Sequence, residues 1–155
     1  MTIMANNLYR LVYISRNEIL GDDAVIRREI EQILERARDK NPQANITGAL
    51  MFNAGSFAQV LEGSHDDIQD TFERIQCDPR HSHVVMLSLE PVEEREFSNW
   101  SMAYFGSDST ASAKFGDITH GSDFNAALLK GGRILDLIKE HMQEAEIKAA
   151  GKKLL

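Results

Sequence analysis

The sequence predicts an α+β fold, a ferredoxin-like sandwich in which a mixed five-stranded sheet carries two helices on one face. Two observations lead to this prediction. The predicted elements follow the order strand, helix, strand, strand, helix, strand, strand, so two strand–helix–strand halves precede one extra strand. Each predicted helix also has a single apolar stripe, which it can bury against the sheet.

The first half begins with a strand from Leu8 to Ser15 and continues with a helix. Asp22 and Asp23 stand where this helix begins and suit its positive N-terminal end. Its apolar residues recur at helical spacing, namely Ile26, Ile30, Ile33, Leu34 and Ala37. Pro42 disfavours helical geometry at the residue before it, so we expect the helix to end at about Asn41.

A hairpin follows, with strands over residues 45–52 and 57–63. Side chains alternate between the two faces of a strand, so Gln59 points to the same apolar side as Phe57 and Leu61. A buried primary amide without a partner costs roughly 1–3 kcal/mol. Gln59 therefore needs a polar partner, from the protein or from a ligand.

Tyr13 on the first strand is a candidate partner, because it shares a face with Leu11 and Ser15. A tyrosine and a glutamine on inward faces of two strands could form one small hydrogen-bonded group. The alternative is a core tyrosine satisfied elsewhere, with a different strand register. These residues alone leave both interpretations open.

The second half begins at Ser64, which we expect to cap a second helix with Asp67 three residues later. The apolar stripe of this helix consists of Ile68, Phe72 and Ile75, and Pro79 is expected to close it. Two further strands are predicted over residues 84–89 and 97–105, joined by a charged, solvated turn at 93–96. The last strand places three large side chains on one face: Trp100, Met102 and Tyr104.

From about Gly106 the composition changes. The sequence therefore predicts a folded domain over residues 1–106, followed by a connector and C-terminal helical extension over 107–155. Helices are expected from about Asp123 to Ala150, and their stripe could cover the second sheet face or a second chain. Symmetric self-association makes a homo-oligomer the default expectation.

Composition limits the function classes. The 155 residues carry a net charge of -7 and no lysine- or arginine-rich block, so nucleic acid and anionic membranes are not expected as partners. The single cysteine, Cys77, cannot form an internal disulfide and fits a reducing cytosol. With no signal peptide and no apolar run of membrane-spanning length, the sequence predicts a cytoplasmic protein.

Motifs for catalysis or metal binding are missing. The sequence has no G-x-G-x-x-G and no Walker A motif, and Cys77, His81 and His83 lack a second ligand pair for zinc. We therefore expect neither a metal nor an enzyme. The run Asp78-Pro79-Arg80-His81 permits two interpretations: a proline-stopped helix with solvated charges, or a polar clamp on a ligand.

Five segments, taken in order, resemble the BLUF family of blue-light sensors that use flavin adenine dinucleotide (FAD). They are residues 8–15, Asn41 with Ile46-Thr47-Gly48, 57–63, 78–81 and 97–102. The resemblance implies a flavin ring between the two helices, with Ile33 and Ile75 on its faces. It also implies that Asn41 and Arg80 bind the pyrimidine edge.

The remaining implied contacts follow the same pattern. Asp78 and His81 resemble residues near the ribityl chain, and Arg74 resembles a residue that could bind phosphate. Gln59 is similar to the amide between the flavin and Tyr13, which favours the hydrogen-bonded interpretation of that pair. FAD is the expected cofactor, and FMN or riboflavin could replace it in recombinant protein.

The implied function is that of a blue-light photoreceptor without enzymatic activity. In the family, light drives an electron and a proton from Tyr13 and leaves Gln59 rotated or tautomerised. Trp100 and Met102 resemble last-strand residues whose placement differs among members. The expected output is contact with a separate downstream protein partner. A small flavin-dependent oxidoreductase and a flavin-free assembly module are the alternatives.

Overall fold

Five strands and two helices lie in the part of the chain that the computed structural model describes, residues 7–53, 55–105 and 136. In chain order they are β1 (Leu8–Asn17), α1 (Asp23–Gln43), β2 (Thr47–Asn53), β3 (Ser56–Ser64), α2 (His65–Gln76), β4 (His81–Pro91) and β5 (Ala103–Phe105). The predicted order of elements is confirmed.

The strands form one mixed sheet in the order β4-β1-β3-β2-β5. β1 pairs antiparallel with both β3 and β4, β2 pairs antiparallel with β3, and β5 runs parallel to β2. Each strand–helix–strand half therefore encloses a strand of the other half, which is the ferredoxin-like arrangement that the sequence predicts.

The core lies between the sheet and the two helices. Leu11, Leu50 and Leu61 of the sheet pack in one cluster with Leu34 of α1 and Ile68 of α2. Alternation along each strand sends the neighbouring side chains to the opposite face, where they are also buried. These include Val12, Ile14, Met51, Ala58 and Val60.

Helix α1 begins as predicted, since the Asp22 side chain accepts a hydrogen bond from the Val25 N–H at 3.0 Å. It ends at Gln43, two residues past the predicted end at about Asn41, because the helix continues through Pro42. A proline in the last turn removes only one helical hydrogen bond. The Asn41 carbonyl still accepts from the N–H groups that follow, and Asn41 lies inside the last turn.

Helix α2 also begins as predicted, where the Ser64 hydroxyl accepts from the Asp67 N–H at 3.1 Å. It ends at Gln76, three residues before the proline that was expected to stop it. The N–H of Asp78 instead closes a turn on the Ile75 carbonyl at 3.0 Å. Residues 78–80 therefore form a separate turn between α2 and β4.

The last strand is much shorter than predicted. Only Ala103–Phe105 pairs with β2, and residues 97–102 lie outside any strand. The backbone N–H groups of Glu96 and Phe97 bind the Glu62 carboxylate at 2.8 and 2.9 Å, so they cannot join a sheet. β4 is longer than predicted, because it extends over residues 81–91 and not only 84–89.

The predicted domain boundary at residue 106, the connector and the C-terminal helices lie outside the described residues, apart from Asp136. They remain predictions. Within the described ranges, neither helix is long and apolar enough to cross a membrane.

Candidate functional site

A cavity of about 960 Å³ opens between α1 and α2. Its floor includes Tyr13, Leu50 and Gln59 of the sheet. Ligand pockets commonly enclose roughly 300–1,000 Å³ and combine apolar walls with a few polar groups. The cavity has this character, because one isoleucine of each helix lines it, Ile33 from α1 and Ile75 from α2.

Tyr13 and Gln59 lie side by side in the cavity floor. They are direct neighbours in the β1–β3 register, and the Tyr13 hydroxyl donates a hydrogen bond to Gln59 Oε1. Both side chains are buried, with 2% and 5% of their surface exposed. The structure therefore brings together the two polar groups that the sequence places on inward strand faces.

The second end of the Gln59 amide contacts Met102. Gln59 Nε2 lies 3.5 Å from Met102 Sδ, and Met102 is 2% exposed. A thioether sulfur accepts hydrogen bonds weakly and cannot donate one. A continuous chain of hydrogen bonds thus runs from Tyr13 through Gln59 to the residue just before β5.

The Tyr13 hydroxyl holds its hydrogen firmly and donates it in a hydrogen bond. Burial, with a smaller contribution from the Asp78 carboxylate, raises the pKa of Tyr13 above its ordinary value. Its ring packs against Phe72 with centroids 5.4 Å apart and against His81 at 6.1 Å. The hydroxyl stays protonated at neutral pH, and its one hydrogen points at the glutamine.

His81 joins three elements below the cavity. Its Nε2 lies 2.6 Å from the Ile75 carbonyl, and its Nδ1 lies 2.7 Å from the Ser15 hydroxyl. A carbonyl can only accept, so Nε2 carries the hydrogen of this bond, and Nδ1 shares a hydrogen bond with the Ser15 hydroxyl. Both ring nitrogens are used within the protein, and the ring lines the cavity as an apolar surface.

Asp78 and Arg80 form an ion pair on the wall of the cavity. Arg80 Nη2 lies 2.7 Å from Asp78 Oδ2, and Arg80 Nη1 lies 3.3 Å from the Glu29 carbonyl on α1. Burial would raise the pKa of Asp78, but hydrogen bonds from Arg80 and its charge outweigh burial and lower that pKa. The hydrogen bond to Asp78, with their charge attraction, raises the pKa of Arg80. The pair ties the turn after α2 to α1.

Asn41 lies at the other end of the cavity. Its side chain is 5% exposed, and Nδ2 donates to the Ser101 carbonyl at 2.8 Å. Its Oδ1 makes no hydrogen bond within the described residues, so that oxygen is available as an acceptor. The amide thus joins the cavity lining to the segment before β5.

Arg74 and Trp100 occupy less central places. Arg74 is exposed on α2 at the cavity lining, where Nη2 lies 3.5 Å from the Thr71 hydroxyl. Trp100 is half-buried and does not line the cavity, and its buried indole Nε1 has no partner among the described residues. The predicted shared strand face of Trp100 and Met102 is wrong, because neither residue belongs to β5.

A buried network around Glu62 was not foreseen from the sequence. Glu62 is 0% exposed and accepts from Arg10 Nε at 3.0 Å and Thr47 Oγ1 at 3.1 Å, besides the two backbone N–H groups at residues 96 and 97. Arg95 adds hydrogen bonds to Thr47 and to the Glu62 and Asn45 carbonyls. The predicted solvated turn at 93–96 is therefore only half right, because Glu93 and Glu94 are exposed but Arg95 and Glu96 are bound to this network. Opposite charges within two otherwise apolar strands were the available signal.

No group of three or more histidine, cysteine, aspartate or glutamate side chains suited to a metal is found within the described ranges. The fold and the cavity define a ferredoxin-like domain with a cleft between its two helices. The sequence model of the family described as "BLUF: Sensors of blue-light using FAD" matches residues 8–103. The chain belongs to the BLUF family, and the resemblance stated from its motifs is confirmed.

Two relatives match this chain over 98 residues each. The chain is 34% identical over 98 residues to the "Blue light- and temperature-regulated antirepressor BluF" of Escherichia coli (strain K12), covering 63% of this chain and 23% of that protein. It is 33% identical over 98 residues to "Photoactivated adenylate cyclase subunit beta" of Euglena longa, covering 63% of this chain and 11% of that protein. The match therefore spans a small part of each relative.

Solved structures agree with the fold. The dark-state structure of BlrB, a BLUF protein, matches with a TM-score of 0.71 at 28% identity and covers 88% of this chain and 98% of that chain. The photo-activated state of BlsA matches with a TM-score of 0.71 at 29% identity, covering 86% of this chain and 93% of that chain.

Proposed function

We propose that this chain is a blue-light photoreceptor that binds FAD non-covalently in the cleft between α1 and α2. The observation that carries the proposal is the hydrogen-bonded chain from Tyr13 through Gln59 to Met102 in the cleft floor. Family membership adds to it, because the family is described as sensing blue light with FAD.

The size and lining of the cleft support flavin as its ligand. Its volume is about 960 Å³, which suits a ligand larger than a single ring system. Ile33 and Ile75 offer apolar surface to the two faces of a flat ring, and Asn41 Oδ1 offers an acceptor to an N–H on the ring edge. FMN or riboflavin, which contain the same ring, would fit these contacts equally.

The polar residues on the cleft wall differ in what they can still bind. Arg80 already donates to Asp78 and Glu29, so a contact with the ring edge would share donors with that ion pair. His81 has both nitrogens occupied and would contact the ligand through its ring. The exposed guanidinium of Arg74 suits a phosphate group.

Bound flavin would supply absorption of blue light and the uptake and return of an electron and a proton. The protein's own switch is the Gln59 amide, which has one acceptor end and one donor end. The acceptor end now receives the Tyr13 hydrogen, and the donor end contacts Met102. Rotation would exchange the ends, so the bond to Tyr13 would reverse its direction and the contact with Met102 would be lost.

The proposed output is a changed contact with a separate protein partner. Loss of the Gln59–Met102 contact alters the start of β5, which leads into residues 107–155. We propose that these residues form the helical extension that binds the partner or a second copy of the chain. The net charge of -7 makes nucleic acid and anionic membranes unsuited as partners, and the proposed location is the cytoplasm.

The absorption spectrum of the purified protein in darkness and under blue light tests this function. We expect oxidised flavin and a small, reversible red shift. A flavin-containing protein with an unchanged spectrum would contradict the photoreceptor proposal. Reoxidation of reduced flavin by an added substrate would favour the oxidoreductase, and a colourless protein would favour the assembly module.

A further inference from the structure

The segment before β5 is bound along its backbone. Three consecutive carbonyls, those of residues 100–102, each accept a hydrogen bond from another element. The Gly48 N–H of β2 binds the first at 3.1 Å, and Asn41 Nδ2 binds the second at 2.8 Å. Arg38 Nε binds the third at 3.1 Å.

Gly48 is suited to its part in this arrangement. A side-chain carbon at this position would lie 2.0 Å from the Val60 carbonyl oxygen, so any larger residue would displace β2 from β3. The close approach fixes the Trp100 carbonyl against the sheet. The other two donors come from side chains of α1 that are three residues apart and therefore lie on one helix face.

Met102 depends on this support more than other core residues do. Its sulfur contacts Gln59, yet the strand that follows contributes only three paired residues. Short edge strands are weakly held by the sheet alone. The backbone of Met102 is therefore fixed by the Arg38 guanidinium on one side and by the start of the β2–β5 pairing at Ala103 on the other.

We propose that Arg38 is a positioning residue, which binds the Met102 carbonyl and so keeps the Met102 sulfur against Gln59. Arg38 is exposed on α1 and does not line the cavity, so its effect on the site passes through Met102. A guanidinium makes stronger hydrogen bonds to carbonyls than a neutral donor does. Only the consequence for the light response rests on the proposed function; the placement of Met102 does not.

Oxidation of methionine by hydrogen peroxide, followed by peptide mass spectrometry of the full chain in darkness, tests the proposal. Met102 is 2% exposed and should react slowly, as should Met51 at 1%, whereas Met86 at 49% should react fast. In Arg38→Met the loss of a charge-assisted hydrogen bond should raise the Met102 rate by about tenfold or more. Met51, on the opposite sheet face, should keep its rate.

Two further variants separate positioning from general destabilisation. Arg38→Gln keeps an N–H donor and should restore a Met102 rate closer to that of the wild type. Arg28→Met, at an exposed position of the same helix, should leave the Met102 rate unchanged. The proposal is overturned if Arg38→Met leaves Met102 protected, if Met51 becomes equally reactive, or if Arg28→Met acts like Arg38→Met.

The light response gives a separate readout. If Met102 opposes reorientation of the Gln59 amide, Arg38→Met should change the rate at which the red-shifted state reverts to the dark state. Arg38→Gln should lessen that change. A wild-type protein without any red shift would contradict the proposed function only. Unchanged dark recovery together with rapid Met102 oxidation would show that Arg38 positions Met102 without affecting the switch, which overturns the functional half of the inference.

Discussion

Gln59 and Glu62 of strand β3 are buried polar residues three positions apart, and they point to opposite faces of the sheet. Gln59 faces the cleft and has one hydrogen-bond partner at each end of its amide, Tyr13 and Met102. Glu62 faces the other side and receives four hydrogen bonds, two of them from backbone N–H groups. One group is neutral and sparsely bound, and the other is charged and fully bound.

The difference decides which group can move. Both oxygens of a carboxylate accept hydrogen bonds, and neither donates. If the Glu62 carboxylate rotated by half a turn, each neighbouring donor would again face an acceptor, and the pattern of hydrogen bonds would be unchanged. An amide has two unlike ends of similar shape, so a rotated Gln59 is a distinct state that fills the same space. Strand β3 therefore carries a carboxylate whose hydrogen bonds are fixed, Glu62, and an amide whose hydrogen bonds can reverse, Gln59.

Both groups bind the same stretch of chain. Glu62 holds its beginning through the N–H groups of residues 96 and 97, and Gln59 contacts its end at Met102. The segment from residue 96 to residue 102 is held at its start by Glu62, and at its end it contacts the Gln59 amide, whose orientation can reverse. In the proposed switch, a change at Gln59 would therefore be transmitted toward β5, because Glu62 holds the upstream end of the segment.

Removing the reversible group should have the largest effect on the light response. We expect Gln59→Leu to retain flavin and to lose the normal red-shifted state completely, since leucine has a similar volume but no amide. Tyr13→Phe, which removes only the hydroxyl, is the matched variant and should behave alike. Light-minus-dark absorption spectra measure the result. A normal shift in either variant would mean that other residues form the switch.

Removing the fixed group should instead affect stability. Glu62→Leu leaves the Arg10 guanidinium and two backbone N–H groups without their buried acceptor, and breaking a buried charged pair costs about 3–5 kcal/mol. We expect a fall of this size in the free energy of unfolding in urea, with a light response in the molecules that remain folded.

Glu62→Gln is the control for this prediction, because it keeps one acceptor oxygen and should lose less stability. If Glu62→Leu unfolds at the same urea concentration as the wild type, the four hydrogen bonds do not stabilise the fold. If Glu62→Leu abolishes the red shift in fully folded protein, the division between a fixed and a reversible group is wrong.

Sequence patterns placed Tyr13 and Gln59 on inward strand faces, the family resemblance favoured their hydrogen bond, and neither predicted the network around Glu62. Alternation along apolar strands placed Tyr13 and Gln59 on inward faces, and both are local features. Glu62 lies 52 residues from Arg10 in the chain, and its other main donors are backbone N–H groups, which have no sequence signature. The family motifs named the last-strand residues but not the contacts that hold them.

The same reasoning explains the error in the last strand. Residues 97–102 were predicted to form a strand, but the Phe97 N–H and the carbonyls of Ser101 and Met102 are bound by side chains from β3 and α1. Such long-range side-chain to backbone bonds override local strand propensity. For this reason the hydrogen bonds of Arg38 and Arg95 were not predicted. The helices followed from apolar periodicity, and the ferredoxin-like sheet followed from the order of the elements.

Asn41 connects the cleft, which it lines, with the segment before β5, whose Ser101 carbonyl it binds. Asn41→Ala should weaken retention of flavin and lower the free energy of unfolding by roughly 1–3 kcal/mol, because the part-buried Ser101 carbonyl loses its donor. Flavin content after dialysis and urea unfolding measure the two effects. Gln43→Ala, two residues later and exposed, is the control and should change neither. Full flavin retention in Asn41→Ala would show that the cleft binds its ligand without this amide.

The smallest expected effect concerns the ion pair of Asp78 and Arg80, which joins the two walls of the cleft. Because the folded protein lowers the pKa of Asp78, the pair adds stability above the ordinary aspartate pKa of about 3.9. This stability is lost as the pH falls through the lowered pKa that Asp78 has in the folded protein. Unfolding free energies measured from pH 6 down to the acid limit should therefore decline more steeply in the wild type than in Asp78→Asn, whose amide cannot titrate. Since Asp78 and Arg80 are 26% and 22% exposed, solvent screens the pair and the difference should be modest. Identical slopes in the two proteins would mean that the ion pair does not couple to folding, and that other contacts hold the turn after α2 against α1.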